Sequence, residues 1–259
     1  QGIFWNPVGF SFLRFIKYNV RRIETVLFNK SLHSETNGEY WLLDQLSDNP
    51  VVLDVGYNEG DFTKELLARR PTGTVFAFDP AKSAAAANQR DFSKDNRVVF
   101  SNIALSSEVG SAVFHDYGNM CGSLASRTDA GDEKSSYEVP VERLDSWCNS
   151  NNVEEIDLLK IDAEGYDFPV LKGAESLLYA QKITAFQFEY ADGWIASRYF
   201  LHDLMQFMED KPYSIYQLFN GFLMPFDYST VEERFDCGRM FVGVANRAQT
   251  SFTQSTHCL

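Results

Sequence analysis

The sequence predicts a doubly wound α/β fold, a mostly parallel sheet with helices on both faces. Three observations carry this. Val51-Val-Leu-Asp-Val55 is a branched apolar run that stops at a Gly56-x-x-x-Gly60 turn and passes at once into an amphipathic stretch, Phe62 to Ala68. That is a buried strand, a glycine loop and a helix. The alternation then repeats to Asn246, as it does where crossover helices join parallel strands. Finally, several apolar runs end in acids: Asp54, Asp79, Asp162 with Glu164, and Glu189. Buried carboxylates are costly without partners, so some of these strand ends face a ligand with donors or positive charge.

The elements follow in order. A short helix, Glu39–Leu46, precedes the strand Val51–Val55, and a helix from Asp61 to Arg70 stops before Pro71. Thr74–Asp79 is the second strand, Ala81–Phe92 an alanine-rich helix, and Arg97–Ser101 the third strand. Residues 105–141 break the rhythm with four glycines, polar runs and two short alternating strands, Ser111–His115 and Tyr137–Val141, and read as a flap or insertion. The alternation resumes with a strand at Ile156–Asp162, a helix at Phe168–Tyr179, a strand at Thr184–Tyr190 and a helix at Tyr199–Asp210. Tyr213–Phe219 and Met240–Asn246 form an antiparallel closing pair, because a loop joins them.

Ahead of this unit, residues 10–28 place Phe12, Phe15, Ile16, Val20, Ile23 and Leu27 at helical spacing, with Arg14, Lys17, Arg21 and Arg22 between them. This is a basic amphipathic helix. It serves for packing on the domain, self-association or peripheral membrane contact. The domain division is therefore 1–36 helical extension, 37–246 main domain with the flap at 105–141, and 247–259 flexible tail. The net charge of −13 disfavours sequence-blind nucleic-acid binding. Cys121, Cys148, Cys237 and Cys258 form no C-x-x-C pair and predict reduced thiols in a cytoplasmic protein.

Asp79 lies at the tip of the second strand, where an acid takes both hydroxyls of an adenosine ribose. That suits NAD and S-adenosylmethionine (SAM) alike. The glycine loop separates them. Gly56-Tyr-Asn-Glu-Gly60 followed by Asp61 is not the G-x-G-x-x-G of a dinucleotide site, and acids at a helix start repel a pyrophosphate. They suit the sulfonium and ammonium of SAM.

Asp54-Val-Gly-Tyr-Asn-Glu-Gly-Asp-Phe-Thr63, Ala77-Phe-Asp-Pro80, Asn102-Ile-Ala-Leu-Ser106, Leu144-Asp145, Ile156-Asp-Leu-Leu-Lys-Ile-Asp-Ala-Glu-Gly-Tyr-Asp167 and Val170-Leu-Lys-Gly-Ala174 together resemble the FkbM-type SAM-dependent methyltransferases, over about residues 37–245. The resemblance implies a Rossmann-like class I methyltransferase fold: a mostly parallel seven-stranded sheet with an antiparallel last strand, helices on both faces and the N-terminal helical extension. It implies that Asp54 and Gly56 line the methionine part of SAM, that Asp79 holds the ribose, that Asn102 and Ile103 border the adenine, and that Asp162 sits beside the sulfonium. Glu39 falls on a segment this family keeps near the ligand. Tyr57, Asn58, Gly60, Thr63, Pro80 and Ala104 share these motifs and complete the cofactor-binding set. Three positions depart from the pattern: Tyr57 replaces a small residue, Ala163 a larger aliphatic and Asp167 a Glu.

The activity implied is methyl transfer from SAM to a hydroxyl oxygen, with a sugar or glycan as the acceptor. A hydroxyl is a poor nucleophile, so a general base or a metal is needed. Asp162, Glu189 and His202 are the catalytic candidates, and Asp162, Glu164 and Glu189 together could hold a hard divalent ion. Tyr190, Trp194 and Tyr199 either stack a sugar ring or fill the core. The alternatives are an NAD(P)-dependent oxidoreductase on the same fold and a non-catalytic SAM-fold interaction module.

Overall fold

The computed structural model describes residues 33–118, 122–127, 131–235 and 238–249. The expected amphipathic helix at 10–28, most of the tail, and Cys121, Cys237 and Cys258 lie outside the described residues. Two short helices, α1 (Ser34–Asn37) and α2 (Glu39–Asp44), lead into β1 (Val51–Val55). Then come α3 (Asp61–Arg69), β2 (Thr74–Phe78), α4 (Lys82–Asp91), β3 (Val98–Ser101), β4 (Ala104–Leu105), β5 (Gly110–Asp116) and β6 (Ser135–Glu142). The second half runs α5 (Leu144–Ser150), β7 (Ile156–Ile161), α6 (Asp167–Gly173), α7 (Glu175–Tyr179), β8 (Ile183–Tyr190), α8 (Gly193–Ser197), α9 (Leu201–Met208), β9 (Tyr213–Phe219), β10 (Phe222–Pro225) and β11 (Arg239–Ala245).

The main sheet has the order β10-β9-β11-β8-β7-β1-β2-β3. β3, β2, β1, β7 and β8 are parallel, and β11 runs antiparallel between β8 and β9. The antiparallel closing strand is thus as expected. The sheet has eight strands rather than seven, because Gly221 turns the chain back at φ +100° and β10 adds to the β9 edge. Alternate residues of each strand feed opposite layers. Leu53, Val55, Leu159, Ile161, Phe186 and Phe188 pack with Trp147, Phe168 and Leu171 on one face. Val52, Val75, Leu158, Ala185 and Val242 pack with Leu42, Leu43 and Leu66 on the other. Each such aliphatic side chain contributes roughly 1.5–3 kcal/mol on burial.

The helix expected over Phe168–Tyr179 is two helices broken at Ala174. A Cβ on Gly173 would meet the Ser106 carbonyl, so the chain passes close to the β4 end there. The Asp145 carboxylate then serves the new helix start, accepting from Ser176 Oγ at 2.9 Å and from the Ser176 and Leu177 amides at 3.3 Å. The flap is a separate small sheet, β4-β6-β5. Among the described residues no helix is long and apolar enough to cross a membrane. Cys148 is a buried free thiol, pushed up to about 12 by burial and by Asp145.

Candidate active site

Strand order reverses between β1 and β7, so their carboxyl ends open a crevice, the usual ligand position in such sheets. Local bonds hold its floor. The Gly56 and Tyr57 amides donate to the Phe78 carbonyl (2.9 and 3.2 Å), and the Asp162 amide donates to the Val55 carbonyl (3.0 Å). Gly56 sits at φ +81°, and a Cβ there would collide with the Asp162 carbonyl oxygen. Only glycine lets the β1 and β7 ends approach this closely. Asn58 follows in a left-handed conformation and donates its amide to Asp79 Oδ2 (2.8 Å), while the Ala81 amide donates to Asp79 Oδ1 (2.8 Å).

The cleft so formed has about 820 Å³ of empty volume, part of it open to solvent. Its apolar side is Phe78, Pro80, Ile103, Ala104 and Leu105, and its backbone edge is Gly56 and Asn58. Asp162, Ala163, Glu164 and Tyr166 close the β7 side. The flap supplies the remaining wall through Phe114, Asp116, Ser123 and Leu124. It is fastened there. Ser123 bridges to His115 and donates its hydroxyl to the Glu164 carbonyl (3.1 Å). Arg127, with its side chain only 6% exposed, pairs with the Glu164 carboxylate and reaches Asp192 at 3.3 Å.

Four carboxylates line the cleft, Asp79, Asp116, Asp162 and Glu164, and no Lys, Arg or His does so among the described residues. Burial pushes Asp79 up to about 6 against the two amides that bond it. Burial and then Asp162 push Glu164 up to about 7, against the pull of Arg127. Behind the cleft, Lys160 contacts Asp54 Oδ1 (3.3 Å), Asp162 (3.5 Å) and the Gly56 carbonyl (3.1 Å). Burial works against its charge, but Asp54, Asp162 and Glu39 hold it above its ordinary range. Burial, then Asp162, also raises both Glu189 and Asp167 well above ordinary values.

Of the expected cofactor-binding residues, Gly56, Asn58, Asp79, Pro80, Ile103, Ala104 and Asp162 meet at the cleft. Six do not line it. Asp54 is fully buried, with Oδ2 accepting from Thr63 Oγ1 (2.7 Å), so these two tie the β1 end to α3. Tyr57 does not narrow a pocket: its ring turns into the core against Phe100 and under Gly60, whose absent Cβ makes room for it. Asn102 donates its amide to the Asp79 and Ala81 carbonyls (2.7 and 3.3 Å) and so holds the turn before α4. Glu39 is buried between Asn37 (3.1 Å) and Gln187 (2.7 Å).

Among the catalytic candidates only Asp162 lines the cleft, with its side chain 42% exposed. Glu189 points toward Gly238, where a Cβ would strike its carboxylate. His202 lies exposed on α9, its ring 5.5 Å from Tyr228 and its amide donating to Glu233 (2.8 Å). The described residues hold no group of three or more His, Cys, Asp or Glu that could bind a metal ion, so Asp162, Glu164 and Glu189 do not form a divalent site. Arg127 engages one of those acids instead. Tyr190 and Trp194 are fully buried and fill the core. The loop acids Glu59 and Asp61 are exposed and paired with Arg90 (3.2 Å) and Lys64 (3.1 Å). The acidity of the cleft comes from other residues. The flap wall was missed, although alternation along β5 already puts Phe114 and Asp116 on one face.

A doubly wound sheet with β11 antiparallel between β8 and β9, and a cleft at the β1/β7 reversal, defines a Rossmann-like α/β fold of the class I methyltransferase type. The chain matches the family model described as methyltransferase FkbM domain over residues 54–215, more than half its length, and belongs to that family. It is 28% identical over 144 residues to 2-O-methyltransferase NoeI of Sinorhizobium fredii, covering 50% of this chain and 59% of that protein. It is 27% identical over 148 residues to Methyltransferase 1 of Beauveria bassiana, covering 49% and 59%. The chain thus spans under two thirds of the curated relatives it matches. A methyltransferase FkbM structure from Methylobacillus flagellatus superimposes with a TM-score of 0.46 at 13% identity, covering 76% of this chain and 44% of that one.

Proposed function

We propose that this chain is a SAM-dependent O-methyltransferase acting on a hydroxyl of a sugar or glycan. The observation that carries this is the cleft lining: four carboxylates and no basic side chain among the described residues. A doubly charged pyrophosphate finds no cationic side chain there, whereas the sulfonium and ammonium of SAM find carboxylates, and its single carboxylate is left to backbone and hydroxyl donors. This disfavours NAD. The family match supports methyl transfer, and the relative named a 2-O-methyltransferase supports oxygen as the acceptor atom.

When bound, SAM supplies an activated methyl group whose leaving group is a neutral thioether. The chain's own residues align and deprotonate. Asp79, fixed by the Asn58 and Ala81 amides, takes the ribose hydroxyls. Phe78, Pro80, Ile103 and Ala104 offer an apolar slot to the adenine, and Gly56 lets backbone approach the methionine portion. Asp162, the acid on the cleft floor whose side chain is 42% exposed, accepts the hydroxyl proton, with the Lys160 ammonium behind it at 3.5 Å. Holding the acceptor in line provides much of the remaining rate.

Calorimetry with SAM, S-adenosylhomocysteine and NAD tests the cofactor. The two adenosyl ligands bind and NAD does not; binding of NAD alone would overturn the reading in favour of an oxidoreductase. Asp79→Ala weakens SAM by about 1–3 kcal/mol, the cost of hydroxyls left unpaired. Binding without turnover on any glycan would instead favour a non-catalytic module.

A further inference from the structure

Resting on that function, the same lining decides which glycans the site admits. Asp79 belongs to the ribose end. Asp116, Asp162 and Glu164 surround the rest of the cleft, where an acceptor enters between flap and floor. Among the described residues, the cations behind the cleft floor and wall are engaged, Lys160 with Asp54, Asp162 and the Gly56 carbonyl, Arg127 with Glu164 and Asp192, and Lys82, next to the ribose end, sits over the Tyr137 ring at 4.2 Å. The segments 119–121 and 128–130, which flank the flap residues, contain no basic residue in their sequence. A phosphate or carboxylate entering here would shed water without gaining a charged donor. It would also meet like charge focused by the walls of the cleft. A hydroxyl or an ammonium gains acceptors instead.

We infer that the acceptor site selects neutral or amino-bearing glycans and rejects uronates, sugar phosphates and nucleotide-activated sugars. This fixes an order of reactions. A nucleotide-activated sugar carries an anionic diphosphate. Glycosyl transfer breaks the anomeric C–O bond to that diphosphate, forms one to an acceptor hydroxyl oxygen whose proton passes to base or solvent, and releases the nucleoside diphosphate with its charge. Methylation by this chain follows that step, on the assembled glycan, and consumes the glycosyl transferase's product.

The test uses the full chain and two glycan pools. The neutral pool holds methyl glycosides, cello-oligosaccharides and chito-oligosaccharides. The acidic pool holds oligouronates, hexose phosphates and UDP- and GDP-sugars. Each is incubated with methyl-tritiated SAM, and protein loaded with S-adenosylhomocysteine is read on an array of both pools. Label and array binding favour the neutral pool by about tenfold or more, the penalty of like-charge juxtaposition. Asp116→Asn keeps the oxygen that accepts from the Gly118 amide (2.7 Å) but removes a charge, and it narrows the ratio severalfold. Equal or preferential labelling of the acidic pool, or a ratio left unchanged by Asp116→Asn, overturns the inference. Label in neither pool, with SAM bound by calorimetry, sinks the sugar reading and the inference with it. Absent SAM binding shows that the cofactor assignment failed first.

Discussion

Tyr57 is the residue at which the side chain's direction matters most. A bulky ring in a turn built for close approach suggests obstruction of the ligand. The ring instead turns away, 2% exposed, edge-on to Phe100 at 5.2 Å, and its hydroxyl is buried without a hydrogen-bond partner among the described residues. Burial pushes its ionisation well above the ordinary tyrosine range, with the Asp54 charge adding to it. A hydroxyl buried without a partner costs about 1–3 kcal/mol. Tyr57→Phe therefore leaves stability unchanged or raises it by up to about 1 kcal/mol, part of the gain being offset by the small void. Calorimetry on this variant gives an unchanged dissociation constant for SAM; a severalfold shift would put the ring back in the pocket. Asp54 teaches the same lesson. An acid at a strand end is visible in the sequence, but alternation sends it inward to Thr63 and Lys160, while Asp79 and Asp162 at neighbouring ends face the cleft.

At the scale of elements, β1 and β9 coincide with the predicted segments, and the other predicted strands differ by a residue or two at their ends. Their apolar periodicity is local, and local patterns are readable. What escaped depends on partners distant in sequence. The break between α6 and α7 needs the Ser106 carbonyl beside Gly173 and the Asp145 carboxylate at the second helix start. The flap became a cleft wall only through Arg127 and Ser123 reaching Glu164, a contact across 37 or more positions. The glycine loop itself was legible, and its demand can be measured. Gly56 and Gly221 both adopt positive φ, +81° and +100°, but Gly56 faces the Asp162 carbonyl and Gly221 faces open space. Gly221→Ala costs only the left-handed backbone strain, about 1–2 kcal/mol. Gly56→Ala adds a collision that pries β1 from β7, for a total of about 3–5 kcal/mol. By thermal unfolding that is a Tm lower by roughly 6–20 °C, against roughly 2–8 °C for Gly221→Ala. Equal losses would mean that the β1 and β7 ends do not meet as described.

The whole molecule carries a net charge of −13, and its cleft concentrates part of that charge around groups that resist ionising. Burial raises Asp79 to about 6 and, together with Asp162, raises Glu164 to about 7. In the free protein both carboxyls bind protons more tightly than in water, so near pH 6 a fraction of each is neutral. The proposed cofactor brings ribose hydroxyls that donate to Asp79 and a cationic end on the Asp162 and Glu164 side of the cleft, and each favours the ionised form of the carboxyl it meets. Binding must then lower both pKa values and release protons. The sign follows directly. Below about pH 6 the cofactor must expel protons to bind, and above about pH 7.5 both carboxyls are already ionised. SAM affinity therefore rises with pH across that window and levels off above it. Each unit taken from a carboxyl's pKa is worth tenfold, so the dissociation constant falls on the order of tenfold or more between pH 5.5 and 8. Titration calorimetry in phosphate and in imidazole at pH 6.5 reads the same event as a buffer-dependent heat, with a net release of protons. Added salt weakens binding at every pH, less so in this partly enclosed cleft than for a surface pair. A pH-independent constant, or proton uptake, would mean that the ribose does not meet Asp79 nor the cation Glu164, and would leave the acidic cleft without its proposed occupant.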